Sequence, residues 1–263
     1  MSRFPITPNR ELGQHFLVDD NILGVIGRLA ELGPHDVVLE IGPGLGVLTQ
    51  YMADRVGLVR AVELDRGLEP ALRERLAGRD NVELEFGDAL RLPLGSGDPA
   101  PTKLVANLPY NVATPIVVES LDGLPTVQLW CVMVQREVAD RFFAAQSTKA
   151  YGAVSVLVQL ATERTGFHPV SRNVFRPRPN VESALVAFRR TGTGIRPDYT
   201  RVKRVVEGAF AHRRKTLPNS LELSGLAARE EAAAVLEDLR LPPETRAEAL
   251  APEQFVQLAR ALA

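Results

Sequence analysis

Between residues 37 and 145, short apolar runs alternate with stretches of helical spacing, and this alternation constrains the fold more than any other feature of the chain. Val37–Ile41 is apolar and β-branched and runs into Gly42. Residues 45–55 place Leu45, Leu48 and Met52 at helical spacing. Residues 58–64 read as a second strand, 68–76 as a helix, Val82–Phe86 as a third strand and 103–106 as a short fourth strand entering Asn107. Residues 114–121 suit a helix that carries Pro115 in its first turn. Residues 127–134 are nearly all apolar, as in a central strand covered on both faces, and 135–145 follow as a helix. Strands separated by helices imply a parallel sheet with helices on both sides. Such sheets bind ligands at the carboxyl ends of their strands. Gly42, Glu63, Asp88 and Asn107 all fall at or just after strand ends, so they belong to one rim.

The texture changes after Arg164. Residues 170–175 and 181–188 flank the stiff Arg176-Pro177-Arg178-Pro179 segment and are expected to form an antiparallel pair. Residues 191–197 read as a linker, and 199–210, 227–239 and 252–263 as helices. The expected division is an α/β domain over 1–194 and a small all-α domain over 195–263. Charge is distributed unevenly. Residues 164–215 hold 13 Lys and Arg against three Asp and Glu, a net of +10, which leaves −11 for the rest of a chain whose total is −1. That asymmetry suggests a polyanion partner for the basic stretch, or else a solvated basic face. With 45% hydrophobic residues in 263, a sizeable core is available. Cys131 is the single cysteine, so no internal disulfide forms, and no Cys/His cluster has zinc spacing. The N-terminus lacks an apolar signal core, and no run approaches the roughly 18 apolar residues of a membrane span. A cytoplasmic monomer with no metal and no membrane partner is expected.

Glu40-Ile41-Gly42-Pro43-Gly44-Leu45-Gly46 follows a strand and precedes a helix. Glycines there allow a sharp turn and close approach of a ligand to the backbone. The spacing is G-x-G-x-G, unlike the dinucleotide fingerprint. Glu63 closes the second strand, where a carboxylate can accept both ribose hydroxyls, and Asp88-Ala89 follows the third, where it can take an adenine amine. A glycine loop alone is also what an ordinary turn looks like. The loop with both acids in register implies an adenosine-containing cofactor.

Asn107-Leu108-Pro109-Tyr110 ends the fourth strand. An exocyclic adenine amine is a poor nucleophile because its lone pair is delocalised into the ring. Accepting both of its N–H groups, at the Asn107 side-chain oxygen and the Leu108 backbone carbonyl, draws the nitrogen towards tetrahedral geometry. Pro109 stiffens that carbonyl, and Tyr110 offers a face for a base that has left its stack. The same tetrapeptide also suits a plain proline turn. Phe175 is a candidate for the second face of the base, or a core phenylalanine.

These residues resemble the ribosomal RNA adenine N6,N6-dimethyltransferases nearly end to end. Gly13-Gln14-His15-Phe16-Leu17, Glu40 to Gly46, Glu63-Leu64-Asp65, Asp88-Ala89 and Asn107 to Pro115 are similar to the family's motifs in order. So are Met133 to Ala139, Phe175 to Ser183 and Ala209 to Thr216. The resemblance implies a Rossmann-like S-adenosylmethionine-dependent methyltransferase sheet with a helical RNA-binding domain. Gln14, His15 and Leu17 would border the cofactor's methionine end, and Gly42, Gly44 and Gly46 would shape its pocket. Glu63 with Leu64 would hold the ribose, Asp88 and Ala89 the adenine, and Asn107 the reacting amine. Arg176, Arg178 and the Arg213-Arg214-Lys215 helix would contact RNA. The implied substrate is two adjacent adenines in the 3′-terminal hairpin loop of small-subunit (16S) rRNA, within a partly assembled 30S particle. Alternatives are a large-subunit (23S) rRNA methyltransferase conferring macrolide resistance, and a non-catalytic ribosome-assembly factor on the same fold. Two departures stand out. His15 occupies a position where the family usually carries Asn, and Arg178 interrupts a run of prolines.

Overall fold

The computed structural model describes residues 8, 9, 12–192 and 198–262. In chain order the elements are β1 (Phe16–Leu17), α1 (Asp20–Leu29), β2 (Val37–Ile41), α2 (Val47–Ala53), β3 (Leu58–Glu63), α3 (Glu69–Arg75), β4 (Val82–Phe86), β5 (Lys103–Asn107), α4 (Ala113–Gly123) and β6 (Leu129–Gln135). They continue with α5 (Arg136–Phe142), α6 (Ala153–Ala161), β7 (Thr162–Val170), β8 (Phe175–Arg176), β9 (Ser183–Arg190), α7 (Tyr199–Ala211), α8 (Leu217–Leu223), α9 (Arg229–Asp238) and α10 (Pro252–Ala261).

Seven strands form one sheet in the order β4-β3-β2-β5-β6-β9-β7. The pairs β3·β4, β2·β3, β2·β5 and β5·β6 are parallel, and β9 returns antiparallel against β6. Strand order reverses at β2, between β3 and β5, so the ligand crevice of a doubly wound sheet opens there. β2 is buried along its whole length, as is β6 up to Val134. Burying a Val, Leu or Ile side chain contributes about 1.5–3 kcal/mol, so these strands are the hydrophobic centre. β4, at one end of the sheet, alternates instead between half-buried and exposed residues. Pro115 is the third residue of α4, where its missing N–H has no intrahelical partner to lose.

Several expectations need correction. The strand expected at 170–175 is not one element. β7 ends at Val170, Arg172–Val174 is a 3-10 turn, and Phe175–Arg176 leaves the main sheet to pair with β1. The helices α1, α6 and α8 and the strand β7 are not among the expected elements, although α1 buries Ile22, Leu23 and Ile26 at helical spacing behind an Asp19 cap. α6 (Ala-Val-Ser-Val-Leu-Val-Gln-Leu-Ala) is apolar on nearly every side, and β7 contains Pro169, which only a strand at the end of a sheet tolerates. The Arg213-Arg214-Lys215 triplet lies in the turn between α7 and α8, not in a helix. Part of the expected linker, 193–197, falls outside the described residues.

Contacts divide the chain into two compact units. The first runs to Ala139 and resumes over Glu163–Arg190; the second is Asp140–Thr162 together with the chain from Thr191 onward. This division differs from the expected boundary at 194/195 by grouping 140–162 with the C-terminal chain. Within the second unit the Tyr151 hydroxyl donates to the Leu250 carbonyl (2.8 Å), and the Tyr151 ring meets Phe210 edge-on at 5.9 Å. Those contacts fix this segment among the C-terminal helices.

The basic stretch is also less free than its count implies. Arg190 is buried and donates to the carbonyls of Val127 (2.8 Å), Leu121 (3.1 Å) and Leu124 (3.0 Å), closing the end of α4. Arg189 is paired with Glu31 (2.7 Å) and Arg172 with Glu182 (3.6 Å).

Candidate active site

A cleft opens in the first unit at the carboxyl ends of β2, β3, β4 and β5, the rim to which the strand-end residues were assigned. It encloses about 1070 Å³ including its open mouth. Gln14, His15, Leu17, Gly42, Gly44, Glu63, Leu64, Asp88, Ala89, Asn107, Leu108 and Tyr110 all line it. Gly46 and Phe175 do not.

The glycine loop is bent by three left-handed residues, Gly42 (φ 72°), Gly44 (φ 59°) and Gly46 (φ 74°). A Cβ on Gly42 would meet the Pro109 ring at 3.3 Å, so this glycine lets the loop lie against the Asn107–Tyr110 segment. Gly46 has a different role from its neighbours. A Cβ there would meet Leu72 at 3.1 Å, so it allows close packing against α3 rather than shaping the cleft.

Glu63 is 5% exposed. Its carboxylate accepts the Gly44 N–H (3.0 Å) and the Asp65 N–H (2.9 Å), tying β3 to the glycine loop. Burial raises its pKa, against the opposing pull of those two N–H groups. Asp65 in turn accepts from the Gln14 side-chain amide (2.7 Å), which brings the N-terminal segment to the same wall. Asp88 accepts the Leu90 N–H (3.0 Å) and faces Arg91 (3.4 Å). Leu64 and Leu90 remain 54% and 43% exposed at the rim, apolar surfaces suited to a flat ring.

Glu40 also lines the cleft and was singled out only as part of the loop motif. It is 1% exposed, one carboxyl oxygen (Oε2) has no partner, and burial followed by the nearby Glu63 charge pushes its pKa up to about 8. At neutral pH it is therefore mostly a neutral acid. Its position inside an otherwise apolar strand was the available signal.

At the end of β5, the Asn107 side-chain nitrogen donates to the His15 carbonyl (3.1 Å). That bond uses one of the amide's two N–H groups and fixes the direction of Oδ1, its acceptor. Leu108 is 1% exposed and its N–H donates to the Met133 carbonyl (3.1 Å), so the backbone here is anchored to β6. The Tyr110 hydroxyl shares a hydrogen with Ser183 Oγ at 2.6 Å, and burial raises the phenol pKa. The His15 ring lies 5.5 Å from the Tyr110 ring, tilted by 32°. His15 Nδ1 is 2.8 Å from the Pro177 carbonyl, and a carbonyl only accepts, so Nδ1 carries the proton.

Phe175 is a correction. It is fully buried and packs in the core cluster that contains Leu17 and Val174, because the β1·β8 register sets it opposite Leu17. It offers no face to the cleft. Arg176 and Arg178 are exposed outside the cleft, the former donating to the Phe175 carbonyl (3.0 Å). Arg214 and Lys215 are exposed, whereas Arg213 donates to the Lys149 carbonyl (3.1 Å) and sits 3.9 Å from Glu248. Among the described residues no cluster of His, Cys, Asp and Glu could hold a metal, and no helix is long and apolar enough to cross a membrane.

Comparison with known proteins agrees with this geometry. The family model described as ribosomal RNA adenine dimethylase matches residues 6–263. A ribosomal RNA small subunit methyltransferase A from Rubrobacter xylanophilus is 46% identical over 253 residues, covering 96% of this chain and 94% of the relative. The protein of the same description from Moorella thermoacetica is 44% identical, covering 98% and 93%. Among solved structures, a dimethyladenosine transferase from Plasmodium falciparum superposes with a TM-score of 0.79 at 25% identity, covering 93% of this chain and 96% of that one. The 23S rRNA methyltransferase ErmE gives 0.67 at 29% identity, covering 94% and 99%. A family model that matches all but the first five residues, and relatives 44–46% identical over nearly their full length, show that the chain belongs to the ribosomal RNA adenine dimethylase family.

Proposed function

We propose that this protein uses S-adenosylmethionine to dimethylate the N6 amines of two adjacent adenines in the 3′-terminal hairpin loop of 16S rRNA, acting in the cytoplasm as a monomer on partly assembled small subunits. The observation that carries the reading is Asn107, whose amide nitrogen is held by the His15 carbonyl, fixing the direction of its acceptor Oδ1, in the same cleft as Glu63 and the glycine loop.

The cleft fits the cofactor. Glu63 offers a carboxylate to ribose hydroxyls, Asp88 and Ala89 flank an adenine position, and Leu64 covers a ring face. Gly42 and Gly44 leave the backbone bare, and Gln14, His15 and Leu17 border the same cleft. S-adenosylmethionine supplies a methyl group made electrophilic by its sulfonium charge, so no metal is needed to activate the leaving group. The remaining work falls to the chain. Asn107 Oδ1 and the Leu108 carbonyl accept hydrogen bonds from the amine N–H groups, localising the lone pair and aiming it; each transfer forms the N–C bond as the S–C bond breaks, and the nitrogen then releases one proton. Tyr110 stacks the extruded base. A base in an unpaired loop reaches such a site more readily than one in a duplex. Arg176, Arg178, Arg214 and Lys215 bind phosphates, setting affinity and register rather than chemistry.

Asn107→Ala tests the reading. Losing one preorganised acceptor at the reacting atom typically lowers the rate by about 10²–10³. Single-turnover methylation should fall by that order while S-adenosylmethionine affinity stays near wild type. A near-normal rate in the folded variant would show that another group holds the amine.

A further inference from the structure

Ser183 is the first residue of β9, is 1% exposed, and stands opposite Gln135 of β6, so its backbone is held by the sheet. It does not line the cleft. Its side-chain oxygen nonetheless lies 2.6 Å from the Tyr110 hydroxyl. Tyr110 itself sits in the loop between β5 and α4, where a long aromatic side chain has rotational freedom unless its far end is tied. The His15 ring rests against the Tyr110 ring at a centroid distance of 5.5 Å, within the range of direct aromatic contact. His15 is anchored in turn by the bond from its Nδ1–H to the Pro177 carbonyl. One face and the hydroxyl end of Tyr110 are therefore both restrained by residues that belong to other segments.

We infer that Ser183 is a positioning residue for the methyl transfer, presetting the Tyr110 ring as the platform on which the target adenine stacks, with the His15 ring bracing it. The inference rests on the reading of Tyr110 as that platform. The orientation of the Tyr110 ring sets how a base stacked on it lies before Asn107. A platform fixed in advance spares the ordering of a loose side chain during the reaction, and small misplacements at a reacting centre are costly in rate. Ser183 takes part only through Tyr110, so its effect must vanish when the phenol is gone.

The test is a double-mutant cycle between Ser183→Ala and Tyr110→Phe, with Tyr110→Ala as a reference. It is read by single-turnover methylation of small-subunit particles that lack the modification and by calorimetric S-adenosylmethionine affinity. Each of the first two variants removes the same hydrogen bond from opposite ends. Each should lower the rate at saturating particle by about three- to tenfold, the equivalent of one buried hydrogen bond, with cofactor affinity unchanged. The double variant should be no slower than the slower single one, because the bond can be lost only once. A purely structural role for Ser183 would instead give additive losses or weaken cofactor binding, and either result overturns the inference. A wild-type rate for Ser183→Ala overturns it as well. If Tyr110→Ala is slow while Ser183→Ala is not, the platform reading survives and the positioning role is lost. If Tyr110→Ala is as fast as wild type, the platform reading fails and the inference with it.

Discussion

Replacing Glu63 should separate cofactor binding from the integrity of the loop. In the structure this carboxylate is 5% exposed and already accepts two backbone N–H groups, from Gly44 at 3.0 Å and Asp65 at 2.9 Å. Holding a ribose adds charge-assisted hydrogen bonds, and a net loss of about 1.5–3 kcal/mol for Glu63→Ala corresponds to roughly 10- to 150-fold weaker S-adenosylmethionine binding. The Gly44 and Asp65 N–H groups also lose their acceptor, at about 1 kcal/mol each where water from the cleft can replace it. That cost is partly offset because a buried charge is removed, which is the same burial that raises the Glu63 pKa. The variant should therefore lose far more affinity than stability. Glu63→Gln should do little better than Ala, since an amide nitrogen would face an N–H donor where an oxygen now accepts. Protonation weakens the acceptor, and the pKa is raised, so affinity should fall on the acid side, beginning above the pH expected of an unperturbed glutamate. Isothermal calorimetry across pH reads all of this. Affinity within about twofold of wild type in a folded Glu63→Ala protein, a difference under ~0.5 kcal/mol, would remove Glu63 from the ribose site.

Glu40 gives a pH-dependent stability. Its folded pKa of about 8 lies above the ordinary 4.5, so its contribution is complete below 4.5 and is lost as pH rises towards 8. Glu40→Gln cannot deprotonate, so denaturant unfolding should show the variant gaining on wild type by on the order of a few kcal/mol between pH 5 and 8. A constant difference would contradict the buried neutral acid. Changing Arg213, Arg214 and Lys215 together to Gln should flatten the log affinity–log salt slope for small-subunit particles by about 1.5 units. Arg214 and Lys215 supply most of this, since Arg213 is already engaged by Lys149 and Glu248. Cofactor affinity should not change, because the cleft residues belong to the other unit; an unchanged slope would make the cluster a solvated face. Arg190→Met should destabilise the protein by about 3–5 kcal/mol if the three carbonyls it satisfies find no other donor, a loss that thermal unfolding will reveal; a near-neutral result would show that water replaces the guanidinium.

Much of the sheet was legible because its parallel strands, apolar runs or in β4 an alternating one, end in or just before the chemically distinctive residues Gly42, Glu63, Asp88 and Asn107. The cleft gathers all four, since the crevice of a doubly wound sheet lies where strand order reverses. Elements without a period were not legible. α6 is apolar on most sides and β7 is polar with a proline, so neither separates from its surroundings until the other elements are in place. Phe175 looked like a stacking residue from its neighbours in sequence, but the pairing of two-residue strands from distant parts of the chain turns it inward, and no local pattern encodes that register. The roles of Ser183 and His15 around Tyr110 were hidden for the same reason, because both contacts join distant segments. Charge counting also misled at Arg189 and Arg190, which serve an ion pair and a helix end rather than a partner.

The central claim is the identity of the modified base. Small subunits from cells lacking adenine dimethylation, incubated with the purified protein and isotopically labelled S-adenosylmethionine, can be digested and mapped by mass spectrometry. The account predicts label as N6,N6-dimethyladenine at two adjacent positions in the 3′-terminal loop of 16S rRNA, and its loss with Asn107→Ala. Label confined to 23S rRNA, or particles bound by the protein without any methyl transfer, would contradict it.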